Sequence, residues 1–236
     1  MKLLNVKSIF ASLLCGALIF SASGLSIAQS KESVQEVQLK LTSVEIQLTP
    51  DLEMVRTETE DSATVELIDK QTGEITATYS EIIEEVVPAV SGKGNGKGIR
   101  AMATGNYTTV TVKKDKKDGP VNTELSAKLK VYSSGSFRQI NSIESKNMKI
   151  TNSNSAKLED KEIVGISTSD KFPTQEIELS ASATIVYTST NSASATGAFS
   201  VSALKSAGFD VSYTGSKQWE YYARKAIDMG LRYKLN

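Results

Sequence analysis

Alternation of apolar and polar residues with a period of two is the feature that most constrains this sequence. The clearest run has an apolar residue at every second position: Ile177, Leu179, Ala181, Ala183, Ile185 and Tyr187. Such a pattern buries one face of a β-strand and exposes the other. Shorter runs of the same kind recur along the chain, separated by turn residues. The sequence therefore predicts a mainly β protein whose longer, C-terminal part is an antiparallel β-sandwich or a barrel-like module.

Residues 1–28 have the layout of a secretory signal peptide. Lys2 and Lys7 precede an apolar stretch, and small residues lead to a predicted cleavage site after Ala28. We therefore expect a secreted protein, either extracellular or associated with the cell wall. Cleavage would also remove Cys15, the single cysteine, so the mature protein would be cysteine-free, without a disulfide or a thiolate site.

Charge divides the rest of the chain into two parts. Residues 29–88 contain 14 acidic and 4 basic side chains, whereas residues 89–236 contain 13 acidic and 21 basic ones. Glycine alternates with lysine and asparagine near the boundary, which is typical of a flexible linker. The sequence predicts an acidic β-rich module over 29–88, a Gly/Lys-rich linker over 89–105, and a basic β-sandwich-like module over 106–236.

The predicted linker contains Arg100, and an exposed basic linker is a favourable site for proteolysis. The acidic module is thus a candidate pro-segment that processing after Arg100 would release. Its opposite charge suggests a second hypothesis, in which it masks the basic module until a partner competes.

Turn residues divide both modules into strands. The acidic module is predicted to be a small meander of three to five strands, with a hairpin turn at 69–73. Residues 113–120 carry four lysines around two aspartates, and we expect them to form a solvated basic turn rather than a calcium site. Residues 217–229 fit either a helix or a strand, and the final alternation favours a strand from about Ala223.

The sequence contains no histidine. This excludes Ser-His-Asp triads, Cys-His pairs and histidine zinc sites, so we expect a protein that is not an enzyme and that holds no metal or cofactor. A histidine-independent glycan hydrolase is one alternative, because Glu176 and Glu178 share a strand face and two carboxylates can hydrolyse a glycoside.

Four aromatic residues near the C-terminus are the candidate ligand-binding residues: Tyr213, Trp219, Tyr221 and Tyr222. Exposed rings there would stack on sugar rings. Alternation would place Trp219 and Tyr221 on one face and Tyr222 on the other. The competing interpretation is that they are ordinary core and edge aromatics.

Residues 176–202 carry no charge after Glu178 and permit another alternative. A first strand at 177–187 and a returning strand at 198–202 would form a hydroxyl-rich hairpin of the kind found in β-barrel pores or secreted toxins. The leading prediction remains a secreted, non-enzymatic interaction protein. Its expected partner is an anionic cell-wall polymer, a glycan or a membrane surface. Specific nucleic acid recognition is not expected, because no basic-aromatic motif is present.

Overall fold

Twelve β-strands and one short α-helix are present in the described residues of the computed structural model, which are 33–89, 105–153 and 155–236. The strands are β1 Ser33–Gln38, β2 Thr42–Leu48, β3 Leu52–Glu58, β4 Ser62–Asp69, β5 Ile75–Pro88, β6 Asn106–Asp118, β7 Val121–Ser134, β8 Phe137–Ile150, β9 Ala156–Ser167, β10 Glu176–Ser189, β11 Asp210–Tyr213 and β12 Tyr221–Leu235. The helix, α1, is Val201–Ser206 and follows a 3-10 helix at Gly197–Phe199.

The strands form two antiparallel sheets. Sheet A has the order β1-β2-β12-β10-β9, and β11 also pairs with β12. Sheet B is a meander in the order β3-β4-β5-β6-β7-β8. The mainly β, sandwich-like fold predicted from the alternation is therefore confirmed.

The core lies between the sheets because every second residue of the long strands is apolar. On β10 and β12 the buried residues keep the period of two over most of each strand. Sheet B contributes the matching buried positions of its central strands: Val110, Val112, Leu125, Ala127, Leu129 and Val131. These side chains belong to one hydrophobic cluster, so the two inner faces stabilise each other.

Each sheet contains strands that precede the predicted linker and strands that follow it. β5 and β6 pair over most of their lengths, from Ala77–Lys116 to Pro88–Asn106. β2 pairs with the end of β12. Residues Glu32–Asn236 form one compact unit, so the division into an acidic and a basic module does not describe how the chain packs. The acidic segment is a structural part of the sandwich rather than a separate masking body.

A buried carboxylate joins sheet B to the β1–β2 turn of sheet A. Glu81 on β5 is fully buried, and its side chain accepts hydrogen bonds from the backbone N–H groups of Lys40, Leu41 and Thr42 at 2.9–3.1 Å. The Thr42 hydroxyl donates a fourth hydrogen bond at 2.8 Å. These bonds satisfy a buried charge with the donors of a tight turn, so they fix the position of the β1–β2 hairpin.

Two predicted local elements are wrong. Residues 113–118 continue β6 instead of forming a solvated turn, and Asp118 is buried with its carboxylate 2.8 Å from the Lys225 ammonium of β12. A run of charges is typical of a solvated turn, but here alternate residues of the run face the inside of the sandwich. The returning strand expected at 198–202 is helical instead, with Ser200 capping α1 through a hydrogen bond from the Ala203 N–H.

Other predictions agree with the structure. Gly73 and Gly119 adopt φ angles of 70° and 58° in the β4–β5 and β6–β7 turns, where glycine is favoured. The strand favoured for the C-terminal segment is confirmed as β12. Ala28, Arg100 and nearly all of the predicted linker lie outside the described residues, so the signal peptide and both processing sites stay predictions.

Candidate functional site

Tyr221 is not available to a ligand on the protein surface. It is fully buried at the start of β12, with its ring centroid 6.2 Å from that of Tyr187 and its hydroxyl donating to the Phe199 carbonyl. Burial raises the pKa of Tyr221. It is therefore a core aromatic that holds the 3-10 helix against sheet A.

The other three predicted aromatics lie near the β11–β12 end of sheet A. Tyr213 and Trp219 are 56% and 37% exposed, and the Lys217 ammonium lies 5.6 Å from the Trp219 ring centroid. Tyr222 is half-buried on the face opposite Tyr221, with the Arg224 guanidinium 5.8 Å from its ring centroid. Since Trp219 precedes β12, it does not continue the strand's alternation. No ring–ring contact links these three side chains in the described structure.

A cleft of about 420 Å³ opens where β2 separates from β12. The ladder between these strands extends only from Leu235–Thr42 to Tyr233–Val44. Beyond that point, Glu45 and Gln47 of β2 form one wall and Gly230–Arg232 of β12 form the other. Tyr79 and Lys114 of sheet B form the floor of the cleft.

Lys114 is an ionisable residue on the inner face of sheet B. It is in phase with the buried residues Val110 and Val112, and its Nζ donates a 2.9 Å hydrogen bond to the Gly230 carbonyl. The ammonium also lies 5.2 Å from the Tyr79 ring centroid. Burial, with a smaller contribution from the charge of Lys116, lowers the pKa of Lys114 to about 8. A perturbed lysine in a cleft is a feature of functional sites.

The charged wall of the cleft is organised around Arg232. Its Nε donates to the Glu176 carboxylate, and one of its terminal nitrogens lies 3.7 Å from Glu45. The hydrogen bond with Glu176 and the nearby carboxylates raise the pKa of Arg232. Glu178 is the cross-strand partner of Arg232 and also lines the cleft. Glu176 and Glu178 share a face as expected, but Glu176 is neutralised by the guanidinium.

A second candidate surface is an aromatic row on the outer face of sheet B, formed by Tyr107, Tyr132 and Phe137. The ring centroids of Tyr107 and Tyr132 are 5.4 Å apart, and those of Tyr132 and Phe137 are 6.4 Å apart. Phe137 is 51% exposed. The Lys130 ammonium lies 4.8 Å from the Tyr107 ring centroid. We call these three rings the aromatic row.

The sheet holds the aromatic row in place. Val87, Tyr107 and Tyr132 are successive cross-strand partners on β5, β6 and β7, and Val87 is 44% exposed beside the rings. A Cβ atom at Gly105 would lie 2.7 Å from the Tyr132 ring, so only glycine permits this close approach. The rings are therefore displayed on paired strands, close to an irregularity in the β7–β8 ladder at Lys130–Val131.

Neither surface was predicted from the sequence, although signals for both exist. Tyr132 is an aromatic residue on the polar, outward phase of the alternating run that contains Lys128 and Lys130. Lys114 keeps the inward phase of Val110 and Val112. An aromatic on the polar phase and a lysine on the apolar phase are both departures from simple patterning.

Within the described residues, no cluster of three or more acidic, histidine or cysteine side chains is placed to hold a metal ion. The described helices include none with the length and hydropathy needed to cross a membrane. No protein-family model, curated protein or solved structure matches the chain. The candidate surfaces must therefore be interpreted from their own chemistry.

Proposed function

We propose that this chain is a secreted, non-enzymatic interaction protein of the bacterial cell surface or extracellular medium, and that it binds an acidic glycan. The observation that carries the proposal is the aromatic row with Lys130 beside it. The export layout of residues 1–28 supports the location. The absence of histidine supports a binding role over hydrolytic chemistry.

Stacking is the first part of the binding mechanism. The apolar face of a sugar ring packs well against an aromatic ring, and the row presents three neighbouring rings whose planes are tilted by 56° and 61° from one to the next. Because Tyr107, Tyr132 and Phe137 lie on paired strands, little backbone freedom is lost when a chain of sugars binds. The row is open at Phe137, where the ring is half exposed.

Charge is the second part. Most lysines on this face have carboxylate partners, as Lys128 does with Glu84 and Lys149 does with Glu124 at 3.2 Å. Lys130 makes no ion pair with any described residue, so its ammonium is available to a ligand anion. This favours an acidic over a neutral glycan, with binding that weakens as salt concentration rises.

Sedimentation with purified bacterial cell walls tests the proposal on the chain from Gln29 to Asn236. We expect the protein to pellet with intact walls, to be released by salt, and to pellet much less with walls stripped of their anionic polymers. Phe137→Ala should weaken binding about tenfold because it removes the most exposed ring of the row. Trp219→Ala is the matched control, since it removes an exposed aromatic from the β11–β12 end of sheet A.

The two variants separate the surfaces. If Trp219→Ala abolishes binding and Phe137→Ala does not, the β11–β12 end binds the polymer and the aromatic row does not. If the wild-type chain fails to pellet with intact walls, the proposed function is wrong.

A further inference from the structure

The cleft in sheet A presents hydrogen-bond donors that the protein itself does not use. A lysine ammonium carries three N–H groups. Among the described residues, Lys114 forms one hydrogen bond, to the Gly230 carbonyl, and no ion pair. The Tyr79 ring lies on one side of the ammonium and the open cleft lies beside it. Its remaining donors are thus available to a ligand acceptor in the cleft.

The cleft also presents acceptors. Glu178 is exposed and forms no hydrogen bond or ion pair with other described residues, although it lines the cleft. The Gln47 amide, on the β2 wall, likewise has no side-chain hydrogen bond in the described structure. Glu45 has only the 3.7 Å contact with Arg232. A ligand therefore meets donors on the floor and acceptors on the walls.

Charge limits the kind of ligand that fits. Lys114, Arg232, Glu45 and Glu178 line the cleft, and Arg232 also pairs with Glu176. An anionic ligand would approach these carboxylates, whereas a cationic ligand would approach the ammonium and the guanidinium. Hydroxyl groups both donate and accept, so a molecule with several of them can satisfy both sets without an unpaired charge.

We propose that this cleft is a binding site for a single uncharged sugar residue, held by Lys114, Glu178 and Gln47 over the Tyr79 floor. The cleft volume, about 420 Å³, falls within the range of small-molecule sites. The site goes beyond the proposed function, since the aromatic row lies on the outer face of sheet B and shares no residue with it. The low pKa of Lys114, about 8, is consistent with an ammonium that lacks sufficient polar partners before a ligand binds.

The test uses NMR titration of the chain from Gln29 to Asn236 with glucose, N-acetylglucosamine, glucuronate and glucosamine. The observed signals are lysine side-chain resonances labelled with ¹³C, with Lys114 assigned by its loss in Lys114→Met. We expect the two uncharged sugars to shift the Lys114 signal saturably, and the charged sugars to bind at least about tenfold more weakly. Lys205→Met, an exposed lysine of α1 that does not line the cleft, is the matched control and should keep the same affinity.

One further variant tests the acceptor on the wall of the cleft. Glu178→Gln keeps the shape of the wall and should weaken sugar binding about threefold to tenfold, while an unchanged melting temperature confirms folding. The proposal is overturned if no uncharged sugar shifts the Lys114 signal or if only a charged sugar does so. It is also overturned if Lys114→Met binds the sugars as the wild type does, with the backbone amide signals of the cleft wall Gly230–Arg232 as the readout. Cell-wall binding measured in parallel with Phe137→Ala reports on the aromatic row independently of these outcomes.

Discussion

The cleft in sheet A and the aromatic row on sheet B are built on opposite physical principles. At the cleft, the β2–β12 ladder stops at Val44–Tyr233. Beyond that point, Lys114 of sheet B donates a hydrogen bond to the Gly230 carbonyl of β12. At the row, β6 and β7 pair continuously from Asn106–Ser133 to Asp118–Val121. One region places ionisable groups inside a gap between two strands, whereas the other displays aromatic rings beside a continuous β6–β7 ladder.

The two regions differ in how much each binding surface destabilises the folded state. Holding a charged amine in a partly desolvated gap destabilises the folded state, and the lowered pKa of Lys114 records that cost. The rings of the row replace polar side chains on a surface that already faces solvent, so they cost the fold little. The cleft should therefore respond strongly to substitution and the row weakly, and three predictions test this contrast.

Of the residues that build the cleft and the row, the largest effect is expected at Glu81, which holds the hairpin that forms the β2 wall of the cleft. Glu81→Gln removes a buried charge that accepts three backbone and one hydroxyl hydrogen bond. We expect the free energy of unfolding to fall by about 2–4 kcal/mol in urea denaturation. Hydrogen exchange should accelerate more at Val44 and Ile46 than in β7, because the hairpin loses its anchor.

Glu84→Gln is the matched control for that variant. Glu84 lies on the same strand, is partly exposed, and pairs with Lys128 on the outer face. Its substitution should change the free energy of unfolding by less than about 1 kcal/mol. If the two variants are equally destabilised, Glu81 does not anchor the cleft wall.

The second effect is a gain in stability at Lys114. Because burial lowers the folded-state pKa of Lys114 to about 8 from the 10.5 of a solvent-exposed lysine, protonation at neutral pH favours the unfolded chain. Between pH 8 and 10.5 the unfolded chain binds the proton that the folded chain has released, so stability should rise with pH across this window. Lys114→Met should raise the free energy of unfolding at pH 7 by about 1–3 kcal/mol and remove this rise.

The control for the pH series is a lysine that lies outside the cleft. Lys130→Met removes the lysine beside the aromatic row and should leave the rise in stability between pH 8 and 10.5 in place. If Lys114→Met is less stable than the wild type at pH 7, the lysine stabilises the sheet gap and the interpretation of the cleft as a costly site is wrong.

Local structure could be predicted from the sequence because it depends on near neighbours. The alternation from Ile177 to Tyr187 predicted β10, and the glycines at 73 and 119 predicted their turns. The sheet order could not be predicted in this way. β2 pairs with β12 across most of the chain length, and β5 pairs with β6 across the predicted linker. Such pairings depend on complementary surfaces that are far apart in sequence.

The cleft could not be predicted from the run of charged residues that contains Lys114. A run of lysines at 113–117 is typical of a solvated turn, whereas here alternate members face inward at a gap that remains open to solvent. Asp118 at the end of the run is buried because Lys225 on the opposite sheet neutralises it. The aromatic row was missed because Tyr107, Tyr132 and Phe137 come together only through the registers of three strands. The aromatics that are close together in the sequence are those around Trp219, and one of them, Tyr221, is in the core.

The smallest effect is expected at the row itself. Phe137 is 51% exposed, and its contact with Tyr132 is at a centroid distance of 6.4 Å, so Phe137→Ala should change the free energy of unfolding by less than about 1 kcal/mol. Phe209, which is 3% exposed in the core, is the contrast, and Phe209→Ala should cost about 3–5 kcal/mol. Urea denaturation of both variants measures the difference. A loss at Phe137 comparable to that at Phe209 would mean that the row is packed as part of the core, because a surface ring displayed for a ligand contributes little to folding.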